Sequence, residues 1–376
     1  MHLLSATPGT ISGGEEAIDL DQSPGDMVIL TVADSELACF AGAATRMPEG
    51  APSIRLANLL QLRHPYSIDL YVEKVIAKAK FVCVILLGGK SYWGYGIDEI
   101  ARVARENGIA FAAIADGREA DPALDRASTL PAELRERMRD YLRQGGMANA
   151  LSFLRTAART IGHDAGAPDD PVPVADAGLY LAGTERAGLA EVQAGWTEGR
   201  PLALLVFYRA LMIAGTTDAV DAMVAALQER GFNVAAVHVR ALREPFAVDW
   251  LGGLLGEIAP DVIVNATSFA SSSAGDDRKP GILEKADCPI LQVAFAGVEE
   301  SEWQGAARGL GPRDLAMNVA LPEVDGRLFT RAVAFKAAAR FDEVTQCGIV
   351  VPRVAPDRVA FVADLAANWA GLRRTL

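Results

Sequence analysis

Near-continuous apolar runs that alternate with helix-like stretches constrain the fold of this chain more than any other feature. The first half carries four such runs, MVILTVAD at 27–34, SIRLANLLQL at 53–62, FVCVILLG at 81–88 and IAFAAIAD at 109–116. Between the second and third runs, Ser67 to Lys80 has the apolar spacing of an amphipathic helix. Strands that are apolar on both faces belong to parallel sheets covered by helices on both sides. The sequence therefore predicts an α/β fold.

The second half repeats this alternation after an interruption. Its strand candidates are PLALLVFYRA at 201–210, NVAAVHVRAL at 233–242, DVIVNATSFA at 261–270 and PILQVAFAG at 289–297. The segment 162–178, GHDAGAPDDPVPVADAG, is dense in Pro, Gly and Asp and poor in apolar residues, which is typical of a linker.

The length of 376 residues suits two domains. We predict two Rossmann-like or flavodoxin-like domains with mostly parallel sheets covered by helices, at residues 1–161 and 179–376, joined by the linker at 162–178. A helix predicted from Asp357 to Arg374 would normally lead into another strand. We therefore expect the second domain to be incomplete at its C-terminal end.

Charge and hydrophobicity exclude several classes of function. The net charge is −12, and no cluster of Lys and Arg offers the basic surface that nucleic acids or anionic membranes require. The apolar run from Phe81 to Leu87 is far shorter than the ~20 residues that span a bilayer. The N-terminus lacks a basic segment followed by an apolar one, as a secretory signal would have. We expect a cytoplasmic protein with neither a nucleic-acid nor a membrane partner.

Cysteine and histidine spacing gives no metal or nucleophile motif. The four cysteines are far apart and form neither a disulfide framework nor a CxxC metal knuckle: Cys39, Cys83, Cys288 and Cys347. The four histidines lack metal-ligand spacing, and a GxSxG elbow is absent. His238 ends an apolar run, which favours a structural imidazole. We predict no metal site and leave the catalytic residues unassigned.

The stretch LLGGKSYWG at 86–94 imitates a phosphate-binding loop, since a strand is followed by Gly-Gly-Lys-Ser and a helix. A Walker loop needs a glycine where this chain has Val84, so that the backbone N–H groups can wrap the phosphates. A tight strand-to-helix turn with a solvated Lys90 is the favoured alternative. We predict no nucleotide site in this chain.

Polar residues at the predicted strand ends of the second half are the first candidate binding groups. Tyr208 and Arg209 follow one strand, Asn265 follows another, and Gln292 interrupts a third. The carboxyl ends of parallel strands line the ligand crevice of an open sheet, so these groups are expected to converge. Arg209 could pair with a ligand carboxylate, and Asn265 could both donate and accept beside it. Alternatively, they satisfy backbone groups at the strand ends.

The second candidate is the turn PEVDGR at 322–327, which brings Glu323, Asp325 and Arg327 close together between two apolar segments. A turn that only reverses the chain does not need two carboxylates and a guanidinium. Contact with a substrate is one interpretation, and a solvated turn or an internal salt bridge to Arg327 is the other.

Several long segments resemble a known family. They are VFYRA at 206–210, NATSFA at 265–270, LQVAFAG at 291–297 and GLGPRDLAMNVALPEVDGR at 309–327, together with RLANLLQLRHPYSIDLYVE at 55–73, LLGGKSYWGYG at 86–96 and LDRASTLP at 124–131. In this order they resemble the large subunit of the aerobic, ATP-dependent cobaltochelatase, the CobN family. A more distant resemblance is to the porphyrin-binding H subunit of magnesium chelatase.

The resemblance implies an activity and its partners. The family inserts Co²⁺, its substrate metal, into the corrinoid hydrogenobyrinic acid a,c-diamide during aerobic cobalamin biosynthesis, which makes it a ligase that forms nitrogen–metal bonds. The large subunit binds the tetrapyrrole, while two smaller AAA+-type chelatase subunits hydrolyse ATP. The resemblance thus implies a corrinoid substrate for this chain, with Tyr208, Arg209, Asn265, Glu323, Asp325 and Arg327 as candidate binding residues.

Family members are much longer, and the Glu- and His-rich region associated with metal insertion lies beyond Leu376. We therefore expect an N-terminal portion of the large subunit that is inactive alone. Two alternatives stay open. One is a non-catalytic docking scaffold for the AAA+ subunits, and the other is a magnesium chelatase H subunit acting on protoporphyrin IX.

Overall fold

Two parallel sheets organise the chain, and each lies in a compact unit of its own in this computed structural model, which describes residues 17–86, 88–115, 121–184, 187–272, 279–307, 309–337 and 339–375. The first unit contains the described residues up to Pro173 and the later segment Arg340–Ile349. The second unit contains Val174–Ala339 and the residues from Val350 onward. The domain boundary at 162–178 stays a prediction.

Up to Pro173, the described residues of the first unit form four strands and six α-helices. They are β1 (Met27–Thr31), α1 (Asp34–Ala44), β2 (Ile54–Asn58), α2 (Pro65–Lys74), β3 (Phe81–Leu86), α3 (Gly94–Asn107), β4 (Ala110–Ala115), α4 (Pro122–Ala127), α5 (Ala132–Gln144) and α6 (Met147–Thr160). All pairs are parallel, in the order β2-β1-β3-β4.

Apolar side chains on both faces of these strands explain why helices cover both sides of the first sheet. Every residue of β1 and β3 is buried. One face packs against α2, α3 and α4, and the other packs against α1, α5 and α6. α3 ends at Gly108, whose φ of 67° places it in the left-handed region that a glycine adopts without steric cost.

The remaining elements follow in chain order. They are β5 (Ala177–Tyr180), α7 (Leu189–Gln193), β6 (Leu202–Tyr208), α8 (Arg209–Ala214), α9 (Asp218–Glu229), β7 (Asn233–Val239), α10 (Pro245–Ile258), β8 (Val262–Asn265), β9 (Ile290–Glu299), α11 (Glu300–Gly305), α12 (Pro312–Leu315), α13 (Leu321–Glu323), β10 (Leu328–Lys336), β11 (Arg340–Asp342), β12 (Cys347–Ile349), β13 (Pro352–Val354) and α14 (Pro356–Thr375). A π-helical turn, Ala316–Ala320, joins α12 to α13.

The second sheet has seven strands in the order β13-β10-β9-β8-β6-β7-β5. The five inner strands are parallel, whereas β13 and β5 pair antiparallel at the two edges. Helices α9 and α14 pack on one face, and α7 and α10 pack on the other. The predicted α/β architecture of helix-covered, mostly parallel sheets is confirmed.

The hairpin of β11 and β12 belongs to the first unit, although it lies late in the chain. The Gln22 side-chain amide donates to the Gln346 carbonyl oxygen over 2.6 Å, and the Leu56 N–H donates to the Thr345 carbonyl oxygen over 3.1 Å. Cys347 is buried in the core that also contains β1 and β3 residues. The hairpin thus completes the first unit.

Candidate functional site

Three polar residues bond to one another where β8 leaves the second sheet: Asn265, Thr267 and Gln292. The Asn265 side-chain amide donates to Gln292 Oε1 over 2.7 Å and to the Thr267 carbonyl oxygen over 3.0 Å. Thr267 Oγ1 donates to Asn265 Oδ1, and Gln292 Nε2 donates to the Thr267 carbonyl oxygen, each over 2.9 Å. All three residues are buried, so this network fixes the chain after β8.

Tyr208 holds the next residue of the same segment. Its hydroxyl accepts from the Ser268 N–H over 3.0 Å and donates to the Ser268 carbonyl oxygen over 3.1 Å. Burial raises the pKa of Tyr208, so the phenol is neutral at neutral pH. Ser268 Oγ also donates to Asn318 Oδ1 over 2.7 Å, which ties the segment to the π-helical turn.

The charges of the turn at 322–327 point inward. Asp325 accepts from the backbone N–H groups of Ser271 (2.6 Å) and Ser272 (2.9 Å) and from both hydroxyls. Arg327 Nη2 donates to Asp325 Oδ2 and to Ser271 Oγ. The Asp325 and Arg327 side chains are only 2% and 0% exposed. This ion pair therefore holds the turn against the segment at 271–272.

Burial and ion pairing shift the pKa values of Asp325 and Arg327 in opposite directions. Burial of Asp325 opposes its ionisation, but the bonds from Ser271 and Ser272 and the charge of Arg327 hold the pKa of this carboxyl below its usual value. Burial lowers the pKa of Arg327, and the charge of Asp325 opposes that shift. Within the described part of the chain, the Arg327 Nε atom has no hydrogen-bond partner.

Glu323 is the carboxylate of the same turn that faces solvent. It is exposed and lies at a concavity of about 490 Å³ together with Val319, Gly326, Arg327, Leu328 and Phe329. Because the Arg327 side chain is fully buried, the charged group available to a ligand at this concavity is the Glu323 carboxylate.

Arg209 lies on the β5 side of β6, whereas Asn265 lies on the β8 side. The buried Arg209 guanidinium donates to the Val174 carbonyl oxygen over 2.9 Å and lies 3.7 Å from Asp176 Oδ1. Burial and the nearby charge of Arg209 lower the pKa of His238 to about 4. These contacts favour a structural role for Arg209.

Phe269 was not singled out by the sequence, in which it lies within the strand predicted at 261–270. β8 ends at Asn265 instead, and Phe269 adopts a left-handed backbone conformation with φ of 65°. Its side chain is 41% exposed, and its N–H donates to the Met317 carbonyl oxygen over 2.9 Å. An apolar residue type carries no sequence signal for such a conformation.

Two carboxylates of the first unit bond to the Gly-Gly-Lys turn at 88–90. Asp121 Oδ2 accepts from the Lys90 N–H over 2.8 Å, and Lys90 Nζ donates to Asp98 Oδ1 over 2.6 Å. The bond from the Lys90 N–H is the main cause that lowers the pKa of Asp121. Asp121 thus accepts the hydrogen bond of an N–H group that a bound phosphate would need. This contact favours a strand-to-helix turn over a phosphate-binding loop.

The described residues contain neither a metal-binding cluster nor a membrane-spanning helix. Among these residues, no group of three or more His, Cys, Asp or Glu side chains is placed to hold a metal ion. In the same ranges, no helix is long and apolar enough to cross a membrane. The four cysteines are thiols, and burial raises the pKa of Cys39 and Cys288 to about 11.

The chain is similar to a family model and to several known proteins. A family model described as CobN/Magnesium Chelatase matches residues 139–376. The aerobic cobaltochelatase subunit CobN of Sinorhizobium sp is 42% identical over 383 residues, which cover 100% of this chain and 30% of that protein. The protein of the same name from Pseudomonas aeruginosa is 36% identical over 376 residues, again 100% of this chain and 30% of the relative.

A solved structure is also similar. The catalytic subunit of cobaltochelatase from Mycobacterium tuberculosis matches with a TM-score of 0.62 and 27% sequence identity, over 93% of this chain and 27% of that one. This chain therefore spans about 30% of the length of the curated relatives.

Proposed function

Because this chain belongs to the CobN/magnesium chelatase family, which confirms the resemblance read from its sequence, we propose that it is the tetrapyrrole-binding part of a cobaltochelatase large subunit. It takes part in inserting Co²⁺, as substrate metal, into hydrogenobyrinic acid a,c-diamide for cobalamin biosynthesis in the cytoplasm. Two AAA+-type partner subunits hydrolyse the ATP. Similarity along the whole chain to two cobaltochelatase subunits is the observation that carries this proposal.

In the second unit some candidate residues are exposed and others are buried, which supports different roles for the two groups. We assign Glu323 to ligand contact, because it is exposed and a carboxylate accepts hydrogen bonds from the amide groups of an a,c-diamide. Asn265, Asp325 and Arg327 are buried and bonded to neighbours, so they shape the surface that the ligand meets.

Metal insertion itself needs more than this chain. The reaction requires a base that removes the pyrrolic protons and oxygen or nitrogen ligands that deliver Co²⁺. We assign those steps to the complete large subunit with its ATP-hydrolysing partners, and corrinoid binding to the part described above.

A spectral titration tests the proposal. The purified chain is titrated with hydrogenobyrinic acid a,c-diamide and, separately, with protoporphyrin IX, while the absorbance of the tetrapyrrole is followed. We expect a saturable shift with the corrinoid. Replacing Glu323 by Gln should raise its Kd about fivefold, which corresponds to roughly 1 kcal/mol. Glu257→Gln, at an exposed position of α10, is the matched control and should leave the Kd unchanged.

The outcomes separate the alternatives. A shift with protoporphyrin IX alone would favour the alternative that the chain is part of a magnesium chelatase H subunit. If neither compound gives a shift, the proposal of tetrapyrrole binding is wrong, and the docking scaffold for the AAA+ subunits is the alternative that stays. Alanine at Arg327 would not be informative here, because loss of the buried guanidinium is expected to disturb the fold itself.

A further inference from the structure

Phe269 combines two features that are unfavourable for an aromatic residue. Its φ of 65° lies in the left-handed region, where the Cβ atom crowds the backbone and where glycine is the usual occupant. Its side chain is also 41% exposed to solvent. A role in the core does not explain the ring, because a core side chain is removed from water and 41% of this one is not.

Mobility of the segment does not explain the exposed ring either, because the residues on both sides of Phe269 are fastened. Ser268 is bonded to Tyr208 and to Asn318, as described above. Ser271 and Ser272 each donate two hydrogen bonds to Asp325. The backbone of Phe269 is thus held between fastened neighbours, while its side chain stays partly exposed.

The partner of the Phe269 backbone is itself irregular. Its N–H donates to the Met317 carbonyl oxygen, which belongs to the π-helical turn Ala316–Ala320. Single π-helical turns are rare and occur frequently at functional sites, as do residues in sparsely populated backbone regions. Two such features meet at one hydrogen bond, next to the end of β6.

We propose that Phe269 is a substrate-binding residue that packs its ring against the apolar face of the tetrapyrrole macrocycle. The inference rests on the function proposed above and adds the contact that recognises the conjugated ring system, whereas Glu323 recognises the polar periphery. Aromatic rings pack well on the apolar faces of conjugated ring systems, and a side chain on a backbone held in place beforehand loses less conformational freedom on binding.

The test uses variants of the whole chain in the corrinoid titration, together with urea unfolding. Phe269→Gly should bind hydrogenobyrinic acid a,c-diamide about tenfold more weakly. Its urea midpoint should not fall below that of the unaltered chain, because glycine adopts a positive φ without strain. Phe269→Trp should keep the affinity within about threefold. Phe246→Ala is the matched control, since Phe246 is 51% exposed on α10, and its affinity should not change.

The results distinguish this inference from the function on which it rests. An unaltered chain that fails to bind the corrinoid would remove both. An unaltered chain that binds, with equal affinity in Phe269→Gly, would overturn the inference alone. It would also be overturned if Phe269→Gly lost stability and affinity together and Phe269→Leu restored both, because an aliphatic side chain would then suffice for packing.

Discussion

Asp325 and Arg327 form an ion pair inside the second unit, and the same carboxylate accepts hydrogen bonds from two serines that follow β8. The turn that carries the pair is thereby joined to the chain beyond Asn265. The charges of this turn stabilise a local arrangement, and the exposed surface around it is left to Glu323 and to apolar side chains.

Removing one member of the pair should be costly. We expect Arg327→Met to lower the free energy of unfolding by ~3–5 kcal/mol, because Asp325 would remain buried without its cation. The double variant Asp325→Asn/Arg327→Met should lose less than Arg327→Met alone. Urea unfolding of the variants measures both effects. A loss under about 1 kcal/mol in Arg327→Met would show that the pair does not stabilise the unit.

Asp26 should make the first unit sensitive to acid. The Ser53 hydroxyl and the Lys80 ammonium lower its pKa to about 2. A folded pKa below the unfolded value means that this stabilisation is complete above about pH 4 and is lost as the pH falls towards 2. Asp26→Asn should therefore be less stable than the unaltered chain at pH 6, with a difference that shrinks below pH 4. Urea midpoints between pH 6 and pH 2.5 test this, and a difference independent of pH would contradict it.

His238 should affect the stability of the second unit in a different pH range. Its folded pKa of about 4 lies below the value near 6.5 of an unfolded histidine. The neutral imidazole is therefore compatible with the fold above about pH 6.5, and stability is lost as the pH falls from there towards 4. His238→Leu should flatten this part of the profile. NMR titration of the imidazole provides a direct check, and a pKa near 6.5 would exclude the proposed effect.

The Gly88-Gly89 turn allows a matched pair of substitutions. Both glycines have positive φ, 93° and 84°. A Cβ at Gly89 would lie 2.5 Å from Asp121 Oδ2, whereas a Cβ at Gly88 would meet no atom of the described residues within 4 Å. Each alanine should cost ~1–3 kcal/mol through backbone strain. Gly89→Ala should cost more, because it also displaces the carboxylate that accepts from Lys90. Equal unfolding free energies would show that Asp121 moves away freely.

The central strands could be predicted because burial on both faces leaves a continuous apolar run, as in β1, β3 and β6. The antiparallel edge strands β5 and β13 were not predicted. Such strands are short and half exposed, so their sequences lack an apolar run of the kind that marks an inner strand. The hairpin at 340–349 was not predicted for the same reason.

The candidate site was predictable in part. Asn265 was correctly placed at a strand end. Gln292 instead lies near the start of β9, and it meets Asn265 because the parallel register pairs these two residues. The burial of Asp325 could not be inferred, since its serine donors lie 54 and 53 residues away in the sequence. The conformation of Phe269 depends on its own bond to the Met317 carbonyl oxygen and on the bonds of the preceding Ser268 to Tyr208 and Asn318. None of these bonds follows from a local sequence pattern.

The hairpin at Arg340–Ile349 has a consequence for synthesis. On the ribosome, the first sheet is available once Pro173 has emerged, but the core around it still lacks Cys347, and Gln22 lacks Gln346. Completion of the first unit must therefore wait until much of the second unit has been translated. A chain truncated after Pro173 would carry an open apolar surface at this position and would be prone to aggregate.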